Sequence, residues 1–320
     1  MLGKLVNLYR RTGADVPFGN PLPSHGTEME GWFWRVSDEA AGRALIALCS
    51  VNRNPSGDWS TTAVAVHPGQ VVRSAALMGA RAYFPPFRVT AGDAAENFEV
   101  GADEVRFALG DLKLEMQFAD RVVWPKAFGG GGVFSAIPFL NQYWHPYYLG
   151  GRASGTVEYA GERWSFTDAK LYAERNWGAG FPLRWWWGQA HDFGEADVCV
   201  AFSGGLLSLG PIARDVNGII VRLGTRVIRM TPPLLVRSRI GDNQWSLHGR
   251  SPRYEIDIEG DGRHLPPHVL PVPLPADRRN IDSDFEHLGG RLRLTVRESG
   301  RVLYDGTSEL AGLEVGTRPK

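Results

Sequence analysis

Short runs of alternating apolar and polar residues, cut by glycine and proline, constrain this chain more than any other feature. Residues 111–118, DLKLEMQF, place Leu112, Leu114, Met116 and Phe118 on one face and Lys113, Glu115 and Gln117 on the other. That is the period of a half-buried β-strand. RLRLTVRESGRVLYDG reads as a hairpin across Glu298-Ser299-Gly300, GIIVRLGTRVIRM turns at Gly224, and RYEIDIEGDG ends a strand at a glycine-rich turn. With 39 glycines and 21 prolines as punctuation, and no long amphipathic helix beyond the amino terminus, the pattern is many short antiparallel strands. It predicts an all-β fold of barrels or sandwiches. A length of 320 residues suits two units, expected over 1–165 and 166–320.

An echo between MEGWFWRV (29–36) and LRWWWGQA (183–190) supports two barrels of related design. Three stretches read as connections. RAYFPPFRV breaks a strand at Pro85-Pro86, and Gly129–Gly132 predict a mobile loop or lid. HLPPHVLPVPLPADRRN carries five prolines between 266 and 275 and reads as an extended surface stretch or interdomain strap.

Charge excludes one class of partner. The 35 basic residues balance 35 acidic ones without a basic block, so nucleic acid is not an expected ligand. The two cysteines, Cys49 and Cys199, lie in apolar runs and read as buried free thiols, too few for a disulfide framework. No apolar run approaches the roughly 20 residues that span a bilayer. The start, MLGKLVNLYRRTG, lacks the pattern of a secretory signal, and the reducing cytoplasm is the expected compartment. Leu2, Leu5, Val6 and Tyr9 recur at helical spacing beside Lys4, Arg10 and Arg11. They form either a terminal helix packed on the body or a peripheral contact with a membrane surface.

Chemistry concentrates where tryptophans meet polar side chains. In EMEGWFWRV, Glu30, Trp32, Trp34 and Val36 share a strand face; in LRWWWGQAHDF, so do Trp185, Trp187, Gln189, His191 and Phe193. Glu174 shares a face with Tyr172 and Asn176, and Asn141, Tyr143 and His145 form a further aromatic-polar set. A carboxylate among indoles is costly in a dry core, and aromatic walls with a few placed polar groups are the make-up of a ligand pocket. Core packing remains the alternative for any single tryptophan, and ion pairing for any single carboxylate. No HExxH, CxxC, G-x-S-x-G or phosphate loop occurs, so neither a metal nor a nucleotide cofactor is expected.

The stretch YAERNWGAGFPLRWWWGQAHDF (172–193) resembles the signature of the tocopherol cyclase family, with Arg175 where lysine is usual. The resemblance runs from EMEGWFWRV through PFLNQYWHPYYLGGRASGTVEYAG to SELAGLEVG. It implies two antiparallel lipocalin-like β-barrels packed around a hydrophobic cavity, as in carotenoid hydratases and some fungal pericyclases. The implied reaction protonates a prenyl double bond of an isoprenoid quinol, whose phenol oxygen then captures the cation and closes a chromanol ring. Glu30 and Glu174 are the expected acids, with Asp168 behind them, and His191 the expected acceptor of the phenol proton. Trp32, Trp34, Asn141, Tyr143, His145, Asn176, Trp177, Trp185, Trp187 and Gln189 are the expected binding residues for this hydrophobic small molecule. A hydratase, isomerase or pericyclase, or a carrier without catalysis, fits the same composition.

Overall fold

Alternation decides individual strands. Over Leu112–Ala119, Leu112, Leu114, Met116 and Phe118 are buried while Lys113, Glu115 and Gln117 are exposed. The computed structural model describes residues 27–83, 86–125, 129–137, 140–194 and 196–318. The expected amino-terminal helix or membrane contact at 2–11 lies outside these residues, as does Pro85.

The first sheet takes β1 (Met29–Asp38), β2 (Arg43–Asn52), β3 (Trp59–His67), β4 (Val71–Met78) and β5 (Arg81–Tyr83). It continues through β6 (Arg88–Gly92), β7 (Asn97–Gly101), β8 (Glu104–Leu109) and β9 (Leu112–Ala119). Its last strands are β10 (Gln142–Tyr148), β11 (Arg152–Tyr159) and β12 (Glu162–Gly178). The second sheet opens with β13 (Arg184–Ala190), β14 (Val198–Leu209), β15 (Ile212–Leu223), β16 (Arg226–Met230) and β17 (Leu235–Gly241). It closes with β18 (Gln244–Arg250), β19 (Tyr254–Asp261), β20 (His268–Leu274), β21 (Arg279–Glu298) and β22 (Arg301–Thr317).

Both sheets are antiparallel and share a plan. Their orders are β4-β3-β2-β1-β12-β11-β9-β8-β7-β6-β5, with β10 on β12, and β16-β15-β14-β13-β22-β21-β19-β18-β17, with β20 on β21. In each, the tryptophan-rich opening strand pairs with a long closing strand, β1 with β12 and β13 with β22. The expected echo is therefore a repeat of topology. The hairpin at 298–301 turns through Ser299 and Gly300, both at positive φ, as a tight two-residue turn requires.

Each sheet curls around its own core. Val66, Val89, Val100, Leu114 and Val157 meet in the first, and Val200, Ile219, Leu247 and Leu294 in the second. Each such side chain contributes about 1.5–3 kcal/mol by burial. A third apolar layer lies between the sheets, where Phe33, Ile46 and Tyr172 meet Trp187, Ala201 and Ile220. β1 is consequently buried on both faces: Trp34 and Val36 point to the first core and Phe33 to the layer between.

The chain passes from the first sheet to the second over residues 179–183, so the expected division at 165/166 falls inside β12. The proline-rich segment is a strap, with β20 buried against β21 while His268 Nε2 lies 3.0 Å from the Val66 carbonyl of the first sheet. The glycine run is packed rather than open. Gly130 N–H donates to His145 Nδ1 at 3.0 Å, and a Cβ at Gly130 would stand 2.4 Å from Pro146, so close approach explains the missing side chain. Cys49 and Cys199 are both buried free thiols.

Candidate functional site: a carboxyl-bearing cavity between the sheets

At one end of the layer between the sheets the side chains part around a cavity. It encloses about 1320 Å³, counting its open mouth, with walls that include Trp32, Phe33, Tyr143, Trp144, Trp185 and Trp187. Aromatic walls with a few placed carboxyl and amide groups are the make-up of a small-molecule site.

Glu174 lines this cavity from β12. Pairing with β1 sets it opposite Phe33, on the face that looks toward the second sheet. Three donors converge on one of its oxygens, Oε2: Tyr172 OH at 2.6 Å, Trp187 Nε1–H at 2.7 Å and Trp144 Nε1–H at 2.8 Å. Trp187 reaches it from the other sheet, so the acid is held by both halves of the molecule. Burial pushes its pKa up to about 7, against the pull of these three hydrogen bonds toward the ionised form. All three of these hydrogen bonds fall on Oε2 and none on Oε1.

The second sheet supplies carboxyls of its own. Glu314 of β22 accepts a hydrogen bond from Trp185 Nε1–H, and Trp185 lies flat on Gly316, where a Cβ would stand 1.9 Å from the indole. Asp284 of β21 pairs with Gly316, two residues along the ladder from Glu314, and both acids line the cavity. Glu286, directly across the ladder from Glu314, completes a buried trio. Burial and mutual repulsion push Asp284 and Glu286 well above the usual carboxylate range, and burial brings Glu314 up to about 7.

The expected site residues divide between this cavity and its supports. Trp32, Tyr143, Glu174, Asn176, Trp185 and Trp187 line it. Asn176 Oδ1 sits where a Cβ on Gly31 would come within 2.8 Å, so Gly31 makes its room. Asn141 stands behind the wall, holding the β14 backbone through Leu206 O and Ser208 N–H. Trp177 stacks on Tyr143 at 5.4 Å, and Trp34 stacks on Phe118 in the first core.

Three expected proton carriers stand elsewhere. Glu30 faces the first core, where it accepts from Arg175 Nε–H at 2.6 Å; burial, opposed by Arg175, brings its pKa up to about 7. Asp168 is exposed within β12, at a bulge in its pairing with β11 where its φ is 54°, and it does not line the cavity. His191 lies in a buried network that joins the sheets, with Nε2 2.5 Å from Ser37 Oγ and 3.5 Å from Arg35. Burial and Arg35 hold its pKa well below the ordinary histidine value, so it stays neutral. Gln189 belongs to the same network and accepts from Arg35 at 3.0 Å. His145 is buried, accepts from Gly130, and is lowered to about 3 by burial and then by Arg175.

Trp144, Asp284 and Glu314 also line the cavity, without standing out in the sequence. Trp144 alternates with the set Asn141, Tyr143 and His145 and so falls on the other strand face, the one turned to Glu174. Asp284 and Glu286 are spaced for one face in DSDFEHL, a polar signal beside the apolar Leu288. Among the described residues one cluster has metal-ligand spacing, His248, Glu255 and Asp257. It is half-exposed on the second sheet, and Arg297 already occupies Asp257 at 2.5 Å.

Fold and site together define an all-β protein of two barrel-like sheets enclosing a hydrophobic cavity that carries buried carboxyls. The model of the family described as tocopherol cyclase-like matches residues 87–317, and the chain belongs to that family. Over 200 residues it is 30% identical to a protein of Oryza sativa subsp. japonica named "Probable tocopherol cyclase, chloroplastic", covering 59% of this chain and 42% of the rice protein. Over 209 residues it is 29% identical to the chloroplastic tocopherol cyclase of Zea mays, covering 61% and 43%. The chain thus matches less than half the length of either plant relative. Among solved structures, CghA with Sch210972 superposes with a TM-score of 0.60 at 13% identity, covering 95% of this chain and 93% of that one. Kievitone hydratase from Nectria haematococca does so with 0.55 at 11% identity, covering 94% of each. At such identities these two likenesses show the fold alone. No helix among the described residues is long and apolar enough to cross a membrane.

Proposed function

We propose that the cavity is the active site of a cyclase acting on a hydroquinone that bears a prenyl tail. The observation that carries this reading is Glu174, a buried carboxyl fixed by two indole N–H groups and a tyrosine hydroxyl beside a wall of tryptophans. A proton added to the trisubstituted prenyl double bond makes a tertiary cation, and a phenol oxygen captures it and releases its own proton. The sum is an isomerisation, with no change of oxidation state. Indole faces favour the passing cation by about 2 kcal/mol or more when water is excluded. Exclusion of water also keeps the cation from becoming an alcohol. Glu174 exchanges a proton with the substrate through Oε1, which its hydrogen bonds leave open.

The test is turnover of a geranylated methylhydroquinone, followed by chromatography and mass spectrometry. The expected product is a chromanol of unchanged mass, and Glu174→Gln should lower its rate about 10²–10⁴-fold, the usual contribution of an acid–base group. Product heavier by one water would make the protein a hydratase. Binding without turnover by the folded wild type would make it a carrier.

A further inference from the structure

Resting on that reading, we infer that the proton added to the substrate comes from the Asp284–Glu314 pair and that Glu174 accepts the proton released. The roles follow from the partners of each carboxyl. Glu174 faces three donors, which suit a carboxylate. Asp284 and Glu314 line the cavity from neighbouring rungs of the β21–β22 ladder, buried together with Glu286, and carboxyls gathered in one buried patch cannot all ionise. Glu286 stands across the ladder from Glu314 as a further acid, so full ionisation would put three negative charges in one buried patch. Among the described residues, Arg35 is the cation that acts on the trio, its Nε and Glu286 Oε1 both lying beside Gly312, and Glu174 is a further acid.

The pair is also aimed at the substrate space. Asp284 and Glu314 keep only 6% and 8% of their surface, yet both line the cavity. Asp284 Oδ1 has no hydrogen-bond partner among the described residues, although it is buried. Trp185 N–H holds Glu314. Glu174 thus has a counterpart: it lies opposite Phe33 on the closing strand of the first sheet, and Glu314 lies opposite Trp187 on that of the second.

The step balances. The π electrons of the prenyl double bond take the proton from the pair, a C–H bond forms and an O–H bond breaks, and the tertiary cation offsets the charge left behind. A phenol oxygen lone pair closes the C–O bond, and its proton passes to Glu174. Exchange with solvent as product leaves returns both sites to their starting states.

Asp284→Asn, Glu314→Gln and Glu174→Gln should each bind geranylated methylhydroquinone, read by tryptophan quenching, and each lose about 10²–10⁴-fold in turnover. Infrared difference spectra separate the roles at about pH 8, above the value near 7 at which Glu174 and Glu314 titrate. Asp284→Asn should remove a carboxylic-acid C=O band, and Glu174→Gln should remove carboxylate bands. Full turnover in folded Asp284→Asn and Glu314→Gln, or the reverse infrared pattern, would overturn the assignment and leave the cyclase reading standing. If the wild type forms no chromanol, the cyclase reading fails instead, and with it the assignment of donor and acceptor.

Discussion

Glu174 is an acid whose environment pulls it two ways, and the consequences are measurable. Burial raises its pKa to about 7, while Tyr172, Trp144 and Trp187 oppose the rise. Because the folded value lies above the ordinary 4.5, the folded state holds a proton that the unfolded chain has lost between those two values. The group's contribution to stability is therefore whole below pH 4.5 and is lost as pH rises through about 7, a change of about 3 kcal/mol. Glu174→Gln removes that dependence. Its urea midpoint should fall less than that of the wild type between about pH 5 and pH 8; an equal fall in both would contradict the placement. Trp187→Phe keeps an aromatic ring, smaller than the indole, and removes one donor, so the Glu174 pKa should rise. With Glu174 as the acceptor, the limb on which activity increases through about pH 7 should move to higher pH. An unmoved limb would mean that this hydrogen bond does not tune the acid.

At the scale of the strand, the paired ladders decide what each side chain meets. β13 and β22 bring Trp185 onto Gly316, and the indole then reaches Glu314. Gly316→Ala would drive a methyl into that ring. It should cost about 1–3 kcal/mol of stability by overpacking and weaken ligand binding, measured by denaturation and tryptophan fluorescence. A variant as stable as the wild type would show that the indole is free to move. The alternation that made β9 legible in the sequence is less informative here for a physical reason. β1 and the end of β12 are buried on both faces, so no polar face marks which side looks inward and which toward the other sheet. Glu30, Trp32 and Trp34 were correctly grouped on one face, but Trp34 and Glu30 serve the first core, while Gly31 and Phe33 join Trp32 at the cavity. The set Tyr172, Glu174 and Asn176 was legible because a carboxyl, a phenol and an amide share one face. Asp284 and Glu314 lie more than 90 residues beyond that motif, and only the β21–β22–β13 pairing brings them to it.

At the scale of the molecule, the two sheets act as one body because charged groups and a proline-rich strand cross between them. Arg35 of β1 donates to Gln189 and to the carbonyls of Leu288 and Leu310, and lies 3.8 Å from Asp192. Arg35→Met would leave Asp192 buried without its cation, a loss of the order of 3–5 kcal/mol. The urea midpoint should drop accordingly, and a loss below about 1 kcal/mol would show that Ser37 and Lys170 suffice to hold Asp192. This junction matters for function because both sheets line the cavity and hold its acid: Tyr172 and Trp144 reach Glu174 from one sheet and Trp187 from the other. Under the proposed function, a carboxyl-bearing cavity adds a solvent-derived proton to a prenyl double bond and closes a ring. The most direct test is turnover of geranylated methylhydroquinone in D₂O with the wild-type protein. The expected product is a chromanol carrying one non-exchangeable deuterium, on the ring carbon beside the one that bonds to oxygen. A chromanol without deuterium, or no chromanol from protein that binds the quinol, would contradict it.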